Sequence, residues 1–413
     1  MAEPVCVIDA SDGERGVEPV GARLMASAPL PMRPLALPSR APYVLLEDSR
    51  AGDGLLFEAP VRRFVATDAD GAHRALEGME RALADGLHVA GYASYELGYL
   101  FEQRLEALLP QNPRTPLIQM AAFRAPCRGM PPLMEGIGVI HAARPVWSRR
   151  AYADRFQKVK DYIAAGDVYQ VNLTFPFDVE CSGAPAALHA RFRASQPVAH
   201  GAIVALGDPT VLSWSPELFF RIADGTVSSR PMKGTSRRGR SPEEDRRLAA
   251  ELAADPKQRA ENLMIVDLIR NDIGRMSEIG SVRVPDLFRV ETYPTLHTMT
   301  STVEGRIRAG LTARDIFRAL FPCGSITGAP KIRAMQIIHE LEHIPRGAYC
   351  GGIGYFAPDG TACFNVAIRT LSVFDRGPAS YAAGGGVIYD SQADAEYDEC
   401  LLKAKFLLGA ISG

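Results

Sequence analysis

The chain has 413 residues, 47% of them apolar and 23% charged, with a formal net charge of −2. That composition belongs to a globular protein with a substantial core, and the near-neutral charge without a Lys/Arg run argues against nucleic acid or a membrane surface as partner. Seven cysteines with no C-x-x-C pair point to reduced thiols in a cytoplasmic protein, not to a disulfide framework or structural zinc.

Residues 1–40 are rich in Pro, Ala and Arg, with weak periodicity, and read as a loosely structured start. The first five residues lack the basic and apolar regions of a signal peptide, and no apolar run reaches the roughly 18–20 residues of a spanning helix. Short β-like runs follow at 43–46, 54–57 and 63–66. A helix is expected over 71–85, ended by Gly86, and a strand over 88–92. A Pro/Gly-rich break at 124–136 marks a subdomain junction. The expected organisation is therefore a loose segment (1–40), an N-terminal subdomain (41–135) and a main domain (136–413).

Beyond the break, Ser148 is placed to cap a helix carrying Tyr152, Phe156, Val159 and Ile163 on one face, stopped by Gly166. Strand-like runs lie at 202–206, 218–222, 349–356, 362–374 and 380–389. Segments 211–222 and 226–233, joined at Asp224-Gly225, read as a hairpin. Ser241-Pro242-Glu243-Glu244 reads as a capping box, and Thr312 starts another helix. No regular βαβ beat appears, so a doubly wound parallel sheet is not expected.

Lysine is scarce, and none occurs before Lys158. This draws attention to Lys233, in Arg230-Pro231-Met232-Lys233-Gly234-Thr235. Arginine cannot give up its proton in a protein, whereas an enclosed lysine can become a free amine and a nucleophile. In the expected hairpin Glu217 would lie across from Lys233, an acid beside an amine; a plain cross-strand ion pair would have the same spacing. The stretch from Ala260 to Arg275 reads as a largely buried helix opened by Glu261, whose carboxylate serves either a cation or the helix dipole. In the last helix, from Ala393, Glu396 and Glu399 share a face with Lys403; they could hold Mg²⁺ or form a solvated stripe. Gly324-Ser325-Ile326-Thr327-Gly328 before a helix, and Gly384-Gly385-Gly386 after a strand, are places where backbone N–H groups can meet an anion.

Five stretches together resemble the chorismate-utilising enzymes: Tyr169-Gln170-Val171-Asn172-Leu173, Ser215-Pro216-Glu217, Glu261 to Asp267, Gly324 to Lys331, and Glu396-Tyr397-x-Glu399 with Lys403. They occur in family order and cover about 148–410 strongly and 43–105 weakly. The resemblance implies an α+β fold of two large, mostly antiparallel sheets packed together, with helices outside and the site between the sheets. Lys233, where the anthranilate synthases typically have Ala, looks like component I of the aminodeoxychorismate synthases. Gln170 stands where isochorismate synthases carry a water-activating Lys, and an amide cannot serve as that base.

The resemblance further implies a transferase that aminates chorismate at C4 to 4-amino-4-deoxychorismate, toward p-aminobenzoate and folate. Lys233 would be the covalent nucleophile and Glu217 the acid. Mg²⁺ would be held by Glu261 and Glu399 with Glu396 close by. Gln170, His297, Ser325, Tyr355, Arg369, Gly385, Gly386 and Lys403 would line the substrate pocket. No cysteine lies in a Gly-x-Cys-x-Gly elbow, so a separate glutamine amidotransferase subunit is expected to supply ammonia. Leu45-Leu46-Glu47-Asp48-Ser49 loosely resembles the inhibitor-site segment of anthranilate synthase, interrupted by Asp48, and gives no ground for expecting regulation.

Overall fold

The computed structural model describes residues 35, 37–38, 41–129, 137–195, 197–293 and 296–408. The expected loose start and the boundary at 135/136 fall almost wholly outside these residues.

Two ten-stranded sheets carry the chain. The first runs β16 (Gly328–Ala329), β8 (Gln170–Ser182), β20 (Ala379–Val387), β19 (Thr370–Val373), β10 (Thr210–Ser215), β9 (His200–Ala205), β1 (Tyr43–Asp48), β2 (Asp53–Glu58) and β6 (Cys127–Arg128), with β7 (Val139–Pro145) against β8. The second runs β13 (Met232–Arg237), β15 (Leu296–Arg306), β12 (Thr226–Arg230), β11 (Leu218–Ala223), β18 (Ala362–Val366), β17 (Gly352–Phe356), β4 (His88–Ala93), β5 (Ile118–Phe123) and β3 (Arg62–Ala66), with β14 (Arg283–Thr292) against β15. Every described pairing is antiparallel. A buried cluster joins Val44, Phe57 and Val204 of the first sheet to Tyr92, Phe123 and Tyr355 of the second, so the two pack face to face. Strands before residue 129 extend both sheets.

The helices are α1 (Ala69–Ala84), α2 (Arg149–Ala164), α3 (Pro185–Ser195), α4 (Pro242–Ala254), α5 (Pro256–Gly274), α6 (Ala313–Leu320), α7 (Lys331–Glu342) and α8 (Ala393–Leu408). This is the expected α+β architecture. Local signals explain most helix starts: Ser148 accepts from the Ala151 N–H, and Thr312 forms a full capping box with Asp315. The box at Ser241 is only half made, because Glu244 reaches past Ser241 to the Arg240 N–H at 2.6 Å. Helix α5 begins five residues before Glu261, at Pro256, with Asp255 as its cap. Glu261 therefore sits in the second turn, too deep to serve mainly the helix end.

Two segments expected to be single strands are broken, and both breaks matter. The run 211–222 divides at Pro216: β10 belongs to the first sheet and β11 to the second. The run 362–374 divides likewise between β18 and β19, with Arg369 at a left-handed φ of 50°. The chain thus crosses between the sheets at Glu217 and again at Arg369. The crossings touch, since the Val366 N–H donates to Glu217 O at 3.1 Å. The expected hairpin survives only as β11–β12, turned by Asp224 and Gly225, both at positive φ. Pro231, which has no N–H to give a ladder, separates β12 from β13. Lys233 therefore lies outside that hairpin, and the expected direct opposition to Glu217 is replaced by convergence from separate strands. Among the described residues no helix is long and apolar enough to cross a membrane.

Candidate functional site

A cavity of about 530 Å³ opens between β8 and β20 of the first sheet, β13 and β15 of the second, and the helices α5 and α8. Lys233 and Glu217 both line it.

Lys233 reaches the cavity through a β-bulge. Met232 pairs with Thr300 and Thr235 with Thr298, so Lys233 and Gly234 together face the single residue Met299. Gly234 takes φ 87°, and a side chain there would come within 2.9 Å of Gln258 Oε1. Four consecutive residues, Met232 to Thr235, line the cavity, which a regular alternating strand could not achieve. Burial pushes the Lys233 amine below its ordinary range. Glu217 opposes that shift, Lys403 adds to it, and Glu261 and Glu399 oppose it weakly.

Glu217 is 5% exposed. Ser215 fixes the crossing beneath it: its hydroxyl donates to Val366 O at 2.6 Å and accepts from the Glu217 N–H at 3.2 Å. Ser325, in the loop before α7, donates to Glu217 Oε1 at 2.7 Å. Burial raises the carboxyl to about 7, against the smaller lowering effects of Ser325 and Lys233. Near neutral pH the site therefore holds a carboxyl that can give a proton close to an amine inclined to lose one.

Three carboxylates face the cavity from two helices, Glu261 on α5 and Glu396 and Glu399 on α8. Asn262 anchors α5 to β15 by accepting from the Ser301 hydroxyl at 2.6 Å. Burial raises Glu261, with Lys233 and Lys257 opposing and Glu399 adding to the rise. Burial also raises Glu396, which accepts from Ser391 at 2.7 Å. Burial favours the neutral form of Glu399 too, but Lys403 at 2.8 Å and then Lys233 outweigh it, so its carboxyl is lowered. Among the described residues no three His, Cys, Asp or Glu side chains form a ready-made metal shell. The donors are hard carboxylate oxygens that feel one another's charge, which suits an open Mg²⁺ site completed by water or ligand oxygens.

Lys403 also donates to Gly384 O at 2.7 Å, tying α8 to the glycine run. A side chain at Gly385 would meet Glu396 Oε2 at 2.9 Å, and one at Gly386 would meet Gln170 Nε2 at 2.7 Å. Glycine at these two positions lets the Glu396 and Gln170 side chains lie against the strand. Gln170 is 2% exposed, and its Nε2 has no hydrogen-bond partner among the described residues. It is a buried donor in want of an acceptor. Arg369 lines the same cavity from the second crossing.

Two expected site residues lie elsewhere. His297 is 1% exposed and turned toward α4, with Nε2 at 2.9 Å from Asp245 and Nδ1 at 3.0 Å from Thr292. Strand alternation places its neighbours Leu296 and Thr298 on the cavity side instead. Tyr355 is inside β17 and packs on Phe57, ring centroids 5.8 Å apart, in the core between the sheets. Tyr349 is the tyrosine that lines the cavity. The strand expected from 349 starts only at Gly352, after Cys350 at φ 61°, so Tyr349 belongs to a turn and points differently. Lys257 and Gln258 also line the cavity, because α5 starts at Pro256, earlier than the expected start at Ala260.

A family model for chorismate binding enzymes matches residues 130–409. Aminodeoxychorismate synthase component 1 of Klebsiella aerogenes is 45% identical over 267 residues, 65% of this chain and 59% of that protein. Anthranilate synthase component 1 of Pseudomonas aeruginosa is 39% identical over 319 residues, 77% of this chain and 62% of that protein. The chain thus spans about three fifths of the length of these curated relatives. The crystal structure of anthranilate synthase component I from Streptococcus pneumoniae TIGR4 superimposes with a TM-score of 0.73 at 26% identity, covering 96% of this chain and 99% of that one.

Proposed function

The chain belongs to the family of chorismate binding enzymes, and we propose that within it this protein aminates chorismate at C4, giving 4-amino-4-deoxychorismate through a covalent bond to Lys233. What carries this reading is Lys233 itself, bulged into the cavity that also holds Glu217. The aminodeoxychorismate synthase relative at 45% identity supports it.

The chemistry has two displacements. The free amine of Lys233 attacks C2 of the ring, the double bonds shift, and the C4–O bond breaks. Glu217 supplies the proton with which the hydroxyl leaves as water. Ammonia then attacks C4, the double bonds shift back, and the C2–N bond to Lys233 breaks. Two attacks on conjugated positions place the new substituent at C4, which direct attack at C2 would not. Mg²⁺, held by Glu261 and Glu399 with Glu396 nearby, would neutralise the ring carboxylate and make the ring electrophilic. Gln170 and Lys403 offer donors to the substrate's oxygens, and the guanidinium of Arg369 suits a carboxylate. Ammonia would come from a glutamine amidotransferase subunit, in keeping with the relative's designation as component 1.

A second reading is component I of an anthranilate synthase. It draws support from the Pseudomonas relative and the Streptococcus structure. One assay separates the two: the purified chain with chorismate, Mg²⁺ and ammonium, with and without an aminodeoxychorismate lyase. A product converted by the lyase to p-aminobenzoate supports C4 amination. Release of pyruvate without the lyase, together with anthranilate, refutes it.

A further inference from the structure

We propose that Thr298 is a positioning residue that holds the Lys233 bulge in its working shape. The inference rests on the reading of Lys233 as nucleophile.

A bulge leaves part of its backbone without ladder partners, and such a segment needs other restraints. Here each side of Lys233 is tied separately. Before it, Pro231 O accepts from the Ser301 N–H at 3.3 Å. After it, Gly234 O accepts from the Thr298 hydroxyl at 3.1 Å. Arg230 pairs with Glu291, which in turn accepts from the Thr300 hydroxyl at 2.7 Å, so the strand leading into the bulge is also fixed. The Thr298 tie differs from these in kind. It acts inside the bulge itself, on the carbonyl of Gly234, the residue that follows Lys233, and Thr298 lines the cavity.

Gly234 is the weak point that makes this tie necessary. At φ 87° without a side chain, its peptide has more freedom than any other in β13. Gln258 fills the space where a side chain on Gly234 would be, and the Thr298 hydroxyl holds the Gly234 carbonyl. Without the hydroxyl the φ and ψ of Gly234 lose a restraint, and a change in them tilts the preceding residue, Lys233, relative to the rest of β13. A displacement of about 1 Å at a reacting atom is enough to cost roughly 100-fold in rate. Thr298 does not need to touch the substrate to matter.

The test compares Thr298→Val, which keeps the shape and removes the hydroxyl, with Thr298→Ser, which keeps the hydroxyl. Steady-state rates and KM for chorismate are measured, together with reductive methylation of Lys233 by formaldehyde and cyanoborohydride, read by peptide mass spectrometry. The expected result for valine is a fall in kcat of roughly 10- to 100-fold with little change in KM, and faster methylation of Lys233. Serine is expected to restore both. If the valine chain does not fold, as judged by its melting curve, Thr298→Ala is read in the same way. An unchanged methylation rate in the valine variant, or serine behaving as valine does, overturns the proposal. Methylation does not depend on the product formed, so absence of 4-amino-4-deoxychorismate would refute the proposed reaction while the clamp is still decided.

Discussion

The Ser325 hydroxyl donates to Glu217 Oε1 at 2.7 Å, which leaves the second oxygen of that carboxyl for the cavity. Ser325 stands just before α7, while Glu217 stands at a crossing between sheets. Their contact therefore joins the helix-start loop to the chain reversal that carries the acid. Loss of the hydroxyl in Ser325→Ala removes an interaction that lowers the Glu217 carboxyl, so the falling limb of the rate profile should move to higher pH. The rate at neutral pH should fall roughly tenfold as the carboxyl loses its fixed orientation. A pH profile of kcat/KM unchanged in both limb and height would count against this contact.

Glu217 must be protonated to act as an acid, and its carboxyl is held at about 7 by burial. The rate assigned to it should therefore decline as pH rises through about 7. Glu217→Gln should abolish that limb and lower the rate by about 10²–10⁴.

The same burial makes Glu217 a source of instability above acid pH. Its ordinary value is 4.5 and its folded value about 7, so between these the unfolded chain loses the proton while the folded chain keeps it. Stability falls across that window as pH rises. Glu217→Gln should be more stable than the parent at pH 8, on the order of 2–3 kcal/mol, and close to it at pH 4. Urea melts at both pH values, without Mg²⁺ or chorismate, measure the difference. Equal gains at both would show that the carboxyl's charge is not the cause.

Glu261→Gln and Glu399→Gln should each raise the Mg²⁺ concentration needed for half-maximal rate. The expected loss is at least the roughly 10–100-fold that removal of an outer-sphere partner brings. Glu399→Gln also frees Lys403 from its 2.8 Å partner, so its KM for chorismate should rise as well. Metal titrations of turnover separate the effects.

Arg346 anchors the segment that leads to Tyr349. Its guanidinium binds Glu342 and donates to Ile326 O and Asn172 O at 2.8 and 2.7 Å. Arg346→Ala leaves Glu342 buried without its partner, and should cost about 3–5 kcal/mol in a urea melt. A loss below about 1 kcal/mol would mean that water replaces the guanidinium.

Much of the architecture could be read from residues alone because caps and alternation are local signals. Ser148, Thr312 and the Asp224-Gly225 turn act where they stand. The breaks at Pro216 and Arg369 leave no mark in the sequence, because β-like composition continues across them and only the partner sheet decides which side each half joins. The same limit explains His297 and Tyr355. For His297, one step along β15 reverses the face a side chain takes; for Tyr355, the strand begins only at Gly352, so Tyr349 reaches the cavity from the turn before it. Thr298, next to His297 on β15, could be found from strand alternation; Tyr349 could not, because its place depends on the turn before β17. The glycine run at 384–386 is visible in the sequence, but what requires it is not: Thr174, Glu396 and Gln170 fill the space a side chain would take there.

The most direct test is to quench the enzyme after mixing with chorismate and Mg²⁺, without ammonia, and to map the modified peptide by mass spectrometry. The account expects the mass of chorismate less one water on the peptide holding Lys233, lost again when ammonium is added, and absent in Lys233→Ala. Full amination activity in Lys233→Ala, or an adduct on any other residue, would contradict it.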